Sequence, residues 1–206
     1  NNYTVTESLG TLEVTENQSL ILTAPSASKT YDGTALTAPG TAAKPVTASG
    51  LPEGFTVEAT ASGSQTDAGE SANVVNDGYV IKNAEGVDKT ANFTNVTKVN
   101  GKLTVNPKAV TITTGSDSKA YDGTALTKDE ASITGLVNNE TATVTATGSQ
   151  TEVGDSENTY SIDWGTTNKD NYTVTDNLGT LTVTESSAEV TLTAPSASKT
   201  YDGTAL

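Results

Sequence analysis

The string Ser28-Lys29-Thr30-Tyr31-Asp32-Gly33-Thr34-Ala35-Leu36 returns as Ser118-Lys119-Ala120-Tyr121-Asp122-Gly123-Thr124-Ala125-Leu126, and again unchanged as residues 198–206. Tyr31 and Tyr121 stand 90 residues apart, Tyr121 and Tyr201 80 apart. Nine residues do not recur at such intervals by accident. The chain is a tandem array, and whatever it folds into must be a small unit used several times over.

Two further strings fix the period. Asn2-Tyr3-Thr4-Val5 with Gly10-Thr11-Leu12-Glu13-Val14 returns as Asn92-Phe93-Thr94 with Gly101-Lys102-Leu103-Thr104-Val105, and as Asn171-Tyr172-Thr173-Val174 with Gly179-Thr180-Leu181-Thr182-Val183. Mid-repeat, Gly63-Ser64-Gln65-Thr66-Asp67-Ala68-Gly69 answers to Gly148-Ser149-Gln150-Thr151-Glu152-Val153-Gly154. The layout is then a C-terminal hairpin of a preceding repeat (1–16), full repeats at 17–106 and 107–185, and the N-terminal strand of a following repeat (186–206). The first full repeat is longer because of extra residues within Gly50–Gly54 and Gly78–Thr90, which are expected in surface loops. The chain starts inside a repeat, so any targeting signal would lie upstream.

Composition suits small units. Only 33% of residues are hydrophobic and 5% aromatic, so a single large core is not expected. Modules of about 80 residues bury only about 60–65% of their unfolded surface, and each core must be small and aliphatic. The formal net charge is −14. Duplexes and anionic membrane surfaces, which are bound through clustered Lys and Arg, would repel such a chain, and nucleic acid is excluded as a partner. No apolar run reaches the roughly 20 residues of a membrane helix. Cys, His and Met are absent, which removes disulfides, thiolate or imidazole metal sites and His-based nucleophilic catalysis.

Period-2 alternation in Phe55-Thr56-Val57, Leu103-Thr104-Val105, Val144-Thr145-Ala146 and Leu181-Thr182-Val183 predicts strands, with β-branched Thr on the half-exposed faces. Tyr160-Ser161-Ile162-Asp163-Trp164 places both aromatics and Ile162 on one face. Lys128–Ser132 alone could form a helical turn. The expectation is all-β: tandem small, immunoglobulin-like β-sandwich modules arranged end to end as a rod, each with six or seven short strands. The last two strands are expected to form a hairpin across Glu7–Gly10, Lys98–Gly101 or Asp176–Gly179, the glycine supplying a positive φ. Asn106-Pro107-Lys108 leaves almost no slack between repeats, and Pro107 stiffens the joint.

In the repeated string, Asp32-Gly33, Asp122-Gly123 and Asp202-Gly203 read as turns. Tyr31, Tyr121 and Tyr201 are expected to bury their rings in their own modules, with Lys29, Lys119 and Lys199 passing alongside. Taken together, the Lys-x-Tyr-Asp-Gly-Thr start, the Gly-Ser-Gln-Thr middle and the Asn-Tyr…Gly-Thr-Leu end resemble the YDG/MBG-type repeats of large bacterial surface adhesins. The resemblance spans essentially the whole chain. It implies a secreted, cell-surface protein whose modules form a stalk, with no enzymatic residues.

Asp155, Glu157, Asp163 and Asp170 offer oxygen ligands of the kind Ca²⁺ takes. No Asp-x-Asp-x-Asp-Gly loop accompanies them, and solvated loop acids are the simpler account. Lys119 and Asn171 are a candidate pair for an internal Lys–Asn crosslink, without an evident assisting acid. Asn2, Asn17, Asn92, Asn95, Asn139 and Asn171 fit Asn-x-Ser/Thr, a pattern that arises freely in a Thr-rich chain. The sequence therefore points to a non-enzymatic stalk of a bacterial surface adhesin or fibre, extracellular, without cofactor, its partners being neighbouring repeats. The alternatives are an adhesive module that recognises host protein or glycan through Tyr79, Trp164 or the Gly78–Thr90 insertion, and a self-assembling filament subunit with open strand edges.

Overall fold

The structure, a computed structural model, describes residues 2–4, 6–7, 10–11, 19–137 and 139–206. The fold is all-β with several sheets. Helix among the described residues is limited to two single 3-10 turns, Thr90–Asn92 and Lys169–Asn171. Contacts divide the chain into two compact units. The first comprises Asn1–Thr111, Thr134–Ala142 and Trp164–Thr175, the second Ile112–Ile133, Thr143–Asp163 and Asp176–Leu206.

The first repeat contributes β1 (Leu20–Thr23), β2 (Ala27–Thr30), β3 (Thr47–Ser49), β4 (Thr56–Glu58), β5 (Ala61–Ser62), β6 (Gly69–Val75), β7 (Val80–Lys82), β8 (Val96–Val99) and β9 (Gly101–Asn106). They form sheets ordered β3-β1-β8 and β2-β9-β6-β5, with β4 paired to β7. The opening strands pair in parallel with the closing ones, β1 with β8 and β2 with β9, while β3 and β6 flank them antiparallel. Leu20, Leu22, Ala24, Val46, Ala61, Val75, Ile81 and Phe93 make the core. It is small and mostly aliphatic, as 33% hydrophobic residues require. Phe55 meets Phe93 edge to face at 5.7 Å, an arrangement that aligns ring edge with ring face.

The second repeat contributes β10 (Lys108–Thr114), β11 (Asp117–Ala120), β12 (Ala131–Thr134), β13 (Thr143–Ala146), β14 (Gly154–Glu157), β15 (Tyr160–Asp163), β16 (Tyr172–Asn177) and β17 (Thr180–Thr184). Its strand orders, β12-β10-β16, β11-β17-β14 and β13-β15, repeat those of the first except that β14 has no neighbour equivalent to β5. Again the opening β11 runs parallel to the closing β17, and β14 runs antiparallel to it. The recurrence in sequence is thus a recurrence in topology.

Several expectations need correction. Nine and eight strands form among the described residues, rather than six or seven per repeat, because turns cut the chain into pieces of two to seven residues. Lys128–Glu130 is loop and Ala131–Thr134 is strand, because the Glu130 carbonyl is taken by the Gly115 amide at 2.9 Å. The Gly78–Thr90 segment is not all loop, since β7 buries Ile81 completely and only Gly78 and Ala84–Asp88 lie exposed. No strand forms in 186–206. The equivalent strand β1 depends on β3 and β8, whose counterparts do not follow within the 206 residues. Leu12-Glu13-Val14 lies outside the described residues.

The expected closing hairpin is also replaced. β8 and β9 belong to different sheets, as do β16 and β17. Gly101 and Gly179 do not carry a positive φ. They are glycine because backbone presses on them: a Cβ on Gly101 would stand 2.2 Å from the Pro25 carbonyl oxygen, and one on Gly179 2.3 Å from the Gly115 carbonyl group. The chain changes sheets at Ala24–Ser26 on the way in and at Asn100 on the way out, and Gly101 lets the two crossings touch.

Beneath these crossings lie two fully buried asparagines that sequence reading did not single out. Asn158 donates from Nδ2 to the carbonyls of Gly115 at 2.9 Å and Lys128 at 2.8 Å, and its Oδ1 accepts from the Gly148 amide at 3.2 Å. Asn73 does the same for Pro25 at 2.8 Å and Ala38 at 2.7 Å. Each pins loop carbonyls that no strand partner satisfies.

Candidate functional site

The repeated string folds into a self-contained turn. Asp32 Oδ1 accepts from the Thr34 amide at 2.9 Å, the Thr34 hydroxyl at 2.7 Å and Lys29 Nζ at 2.6 Å. Gly33, between them, has φ 76°, a left-handed conformation that favours glycine. Lys29 is therefore bonded into the turn rather than only lying beside a ring. Lys119–Thr124 repeats the arrangement, with Asp122 accepting from Lys119 at 2.8 Å, the Thr124 amide at 2.9 Å and the Thr124 hydroxyl at 2.8 Å. Lys199–Thr204 does so too, with Asp202 taking Lys199 at 2.8 Å and the Thr204 amide at 3.0 Å, although no strand flanks it. Six residues thus suffice to specify the turn. The lysine, then the threonine, hold the Asp32 and Asp122 carboxyls well below the usual carboxylate range. The same partners lower Asp202.

The turn fixes the tyrosine but does not bury it. Tyr31 is 5% exposed, Tyr121 37% and Tyr201 91%, so the tyrosine is not a core residue of its own repeat. What covers Tyr31, within the first unit, comes from the second repeat. The Tyr31 phenol donates to Glu140 Oε1 at 2.5 Å, and the Tyr172 phenol donates to Glu140 Oε2. The two rings meet edge to face at 5.6 Å, and Trp164 stacks on Tyr172 at 5.7 Å. The Tyr172 oxygen also accepts from the Val137 amide at 3.1 Å.

Beside the rings, buried Asn171 donates from Nδ2 to Asp67 Oδ1 at 2.8 Å, and its Oδ1 accepts from the Ala68 amide at 2.7 Å. The three recurring strings therefore meet at one place. Tyr31 and Asp67-Ala68 come from the start and middle of one repeat, Asn171-Tyr172 from the end of the next. Tyr31 and Asp67 share a side because the segments carrying them pair: Leu36 N bonds Gln65 O at 2.8 Å and Gln65 N bonds Leu36 O at 3.1 Å.

This cluster is a binding arrangement, with one carboxylate shared by two phenols. Both phenols are pushed up to about 12, Tyr31 chiefly by its bond to Glu140 and then by burial, Tyr172 chiefly by burial and then by Glu140. The folded chain therefore keeps protons that the unfolded chain releases near pH 10. The stability they bring is complete below pH 10 and is lost as pH rises from 10 to 12. Thermal melts across that range are expected to fall more steeply for the wild type than for a Tyr31→Phe, Tyr172→Phe double variant. Equal slopes would contradict the assignment.

Asp155 and Glu157 lie on β14, with Asp155 accepting from the Thr182 hydroxyl at 2.5 Å; Asp163 ends β15 and Asp170 sits in the second 3-10 turn. Among the described residues no three acids gather into a group that could hold a metal ion. Added calcium is expected to leave the melting temperature unchanged, and a rise would restore the cation site. Lys119 is bonded to Asp122 and to Thr124 at 2.7 Å, whereas Asn171 is bonded to Asp67 and Ala68. Tyr79 is half-buried with Lys98 Nζ 5.5 Å from its ring centre. Glu140 escaped sequence reading because it belongs to none of the recurring strings. Asn73 and Asn158 carried a usable signal, since Gly69-Glu-Ser-Ala-Asn73 and Gly154-Asp-Ser-Glu-Asn158 place asparagine at the same offset.

A YDG domain is found at residues 106–179. That span takes in the Tyr121 turn together with Glu140, Asn171 and Tyr172 from the cluster. No curated protein and no solved structure matches the chain.

Proposed function

We propose that this chain is a length of structural stalk, in which YDG-type repeats follow one another along a bacterial surface adhesin or extracellular fibre, without enzymatic activity. The observation that carries the reading is the cluster just described. Residues from the start and middle of one repeat are held by Glu140, Asn171 and Tyr172 of the next, and one residue, Pro107, separates β9 from β10. Coupling of neighbours through such contacts is how repeat proteins add stability to cores too small to stand alone. The acidity of the chain keeps a long exposed polymer soluble. The aromatic candidates for an adhesive face support the structural reading over a ligand-binding one, since Trp164 is stacked on Tyr172 and Tyr79 faces Lys98.

Small-angle scattering tests it. The wild type is expected to give the profile of a stiff, extended particle, and a Glu140→Ala, Asn171→Ala variant that of two bodies moving independently. A wild type that already scatters as loosely tethered bodies would remove the proposal.

A further inference from the structure

Within the second unit, half of the cluster is built again and stands open. Tyr121 is placed as Tyr31 is, its amide bonded to the last strand of its repeat: Tyr121 N to Thr184 O at 2.8 Å, Tyr31 N to Asn106 O at 2.8 Å. Leu126 and Gln150 exchange amide bonds at 2.8 and 3.0 Å, as Leu36 and Gln65 do. The Gln150 side chain donates from Nε2 to the Glu152 carbonyl at 2.7 Å, matching Gln65 Nε2 on the Asp67 carbonyl at 2.8 Å. Gly154 has φ 141° against 139° for Gly69. The turn that offers Asp67 and Ala68 to Asn171 is thus reproduced with Glu152 and Val153 in their places. What differs is cover. Tyr121 is 37% exposed and Val153 51%, whereas Tyr31 is 5% exposed.

We infer that Tyr121, Glu152 and Val153 form a preformed docking face for another YDG repeat, and that the occupant is that repeat's Asn-Tyr pair with its glutamate, equivalent to Asn171, Tyr172 and Glu140. The inference rests on the stalk reading and specifies the chemistry of its joint. The incoming asparagine donates to the Glu152 carboxylate and accepts from the Val153 amide, while its glutamate takes the Tyr121 phenol. The continuity is with a contact already formed by this chain, position for position on the socket side. The tyrosine hydroxyl on the incoming side matters, because it holds the shared carboxylate in place. A repeat with phenylalanine there, as at Asn92-Phe93, brings no such hydroxyl.

The test extends the full chain. Leu206 is the counterpart of Leu126 in the repeated string, so appending a copy of residues 127–185 completes a third repeat. Tyrosine nitration mapped by mass spectrometry, with hydrogen exchange at the Val153 amide, reads the face. In the extended chain Tyr121 is expected to react roughly sevenfold more slowly, the ratio of 37% to 5% exposure, with slower exchange at Val153. Alanine in place of the appended asparagine equivalent to Asn171 is expected to restore both rates. Unchanged Tyr121 reactivity beside a folded third repeat overturns the inference. So does a third repeat that stays unfolded, because the appended sequence, 127–185, folds within the second repeat with its docking contact made. The scattering profile reports on stiffness alone, so the stalk reading and this assignment can fail separately.

Discussion

Gly101→Ala is expected to destabilise the first unit by about 3 kcal/mol or more, the upper range of overpacking effects. Its Cβ would lie 2.2 Å from the Pro25 carbonyl oxygen, 2.7 Å from the Pro25 carbonyl carbon and 2.7 Å from the Ala24 carbonyl oxygen. Those atoms are backbone, so no rotamer change relieves the clash. Either the entry crossing or the exit crossing has to move, and β2 and β9 are hydrogen-bonded on the far side of it. Alanine also restricts the unfolded chain, which returns only about 0.4–1 kcal/mol. Two other glycines serve as controls. Gly123 has open space around it but a φ of 79°, so alanine there is expected to cost only about 1 kcal/mol. Gly78 has no atom within 4 Å and no positive φ, so alanine there should stay within about 0.5 kcal/mol of wild type. Urea melts followed by the single tryptophan, Trp164, which lies in the same unit, would rank Gly101 and Gly78. Circular dichroism would rank Gly123. Equal behaviour of Gly101 and Gly78 would show that the crossings do not touch.

Asn158→Leu is expected to cost about 3–5 kcal/mol, from several buried polar groups left unpaired at about 1–3 kcal/mol each. The side chain is similar in size, so lost packing is not the reason. The carbonyls of Gly115 and Lys128 lose their donor, and the Gly148 amide loses its acceptor. Asn158→Asp separates the two kinds of loss. The carboxylate keeps the Gly148 bond but turns negative charge towards two carbonyl oxygens, so it is expected to be worse than leucine at neutral pH. Protonation would supply one donor, and the aspartate variant should recover part of its stability as pH falls. Denaturant melts at two pH values measure this. A leucine variant as stable as wild type would mean that the three loop groups do not depend on Asn158.

Much of the molecule was legible in the sequence. The strands at Leu103–Val105, Val144–Ala146 and Leu181–Val183 follow from simple alternation, because a half-buried sheet imposes a period of two. The turn at Asp32-Gly33 was readable because both of its requirements are local. The partners of the strands were not. Gly101 after Lys98-Val-Asn reads as a hairpin by residue type, and only the nearness of Pro25, 76 positions earlier, shows that it is a crossing. Tyr31 illustrates the other limit. Its recurrence announced importance, but an aromatic in a small module reads as core, and its cover comes from Glu140 and Tyr172, more than 100 residues away. Repetition marks which residues matter and is silent about which copy of the unit they face.

The parallel pairing of opening and closing strands has a mechanical consequence. In the first repeat the chain enters through β1 and leaves through β9, and β1–β8 and β2–β9 lie side by side with the same sense. A pull on the two ends of the repeat therefore acts along these strands in opposite directions. The interstrand bonds of Leu20–Thr23 with Val96–Val99, and of Ala27–Thr30 with Leu103–Asn106, are loaded in shear and must give way together. A hairpin at the chain's exit would instead have unzipped under tension one bond at a time.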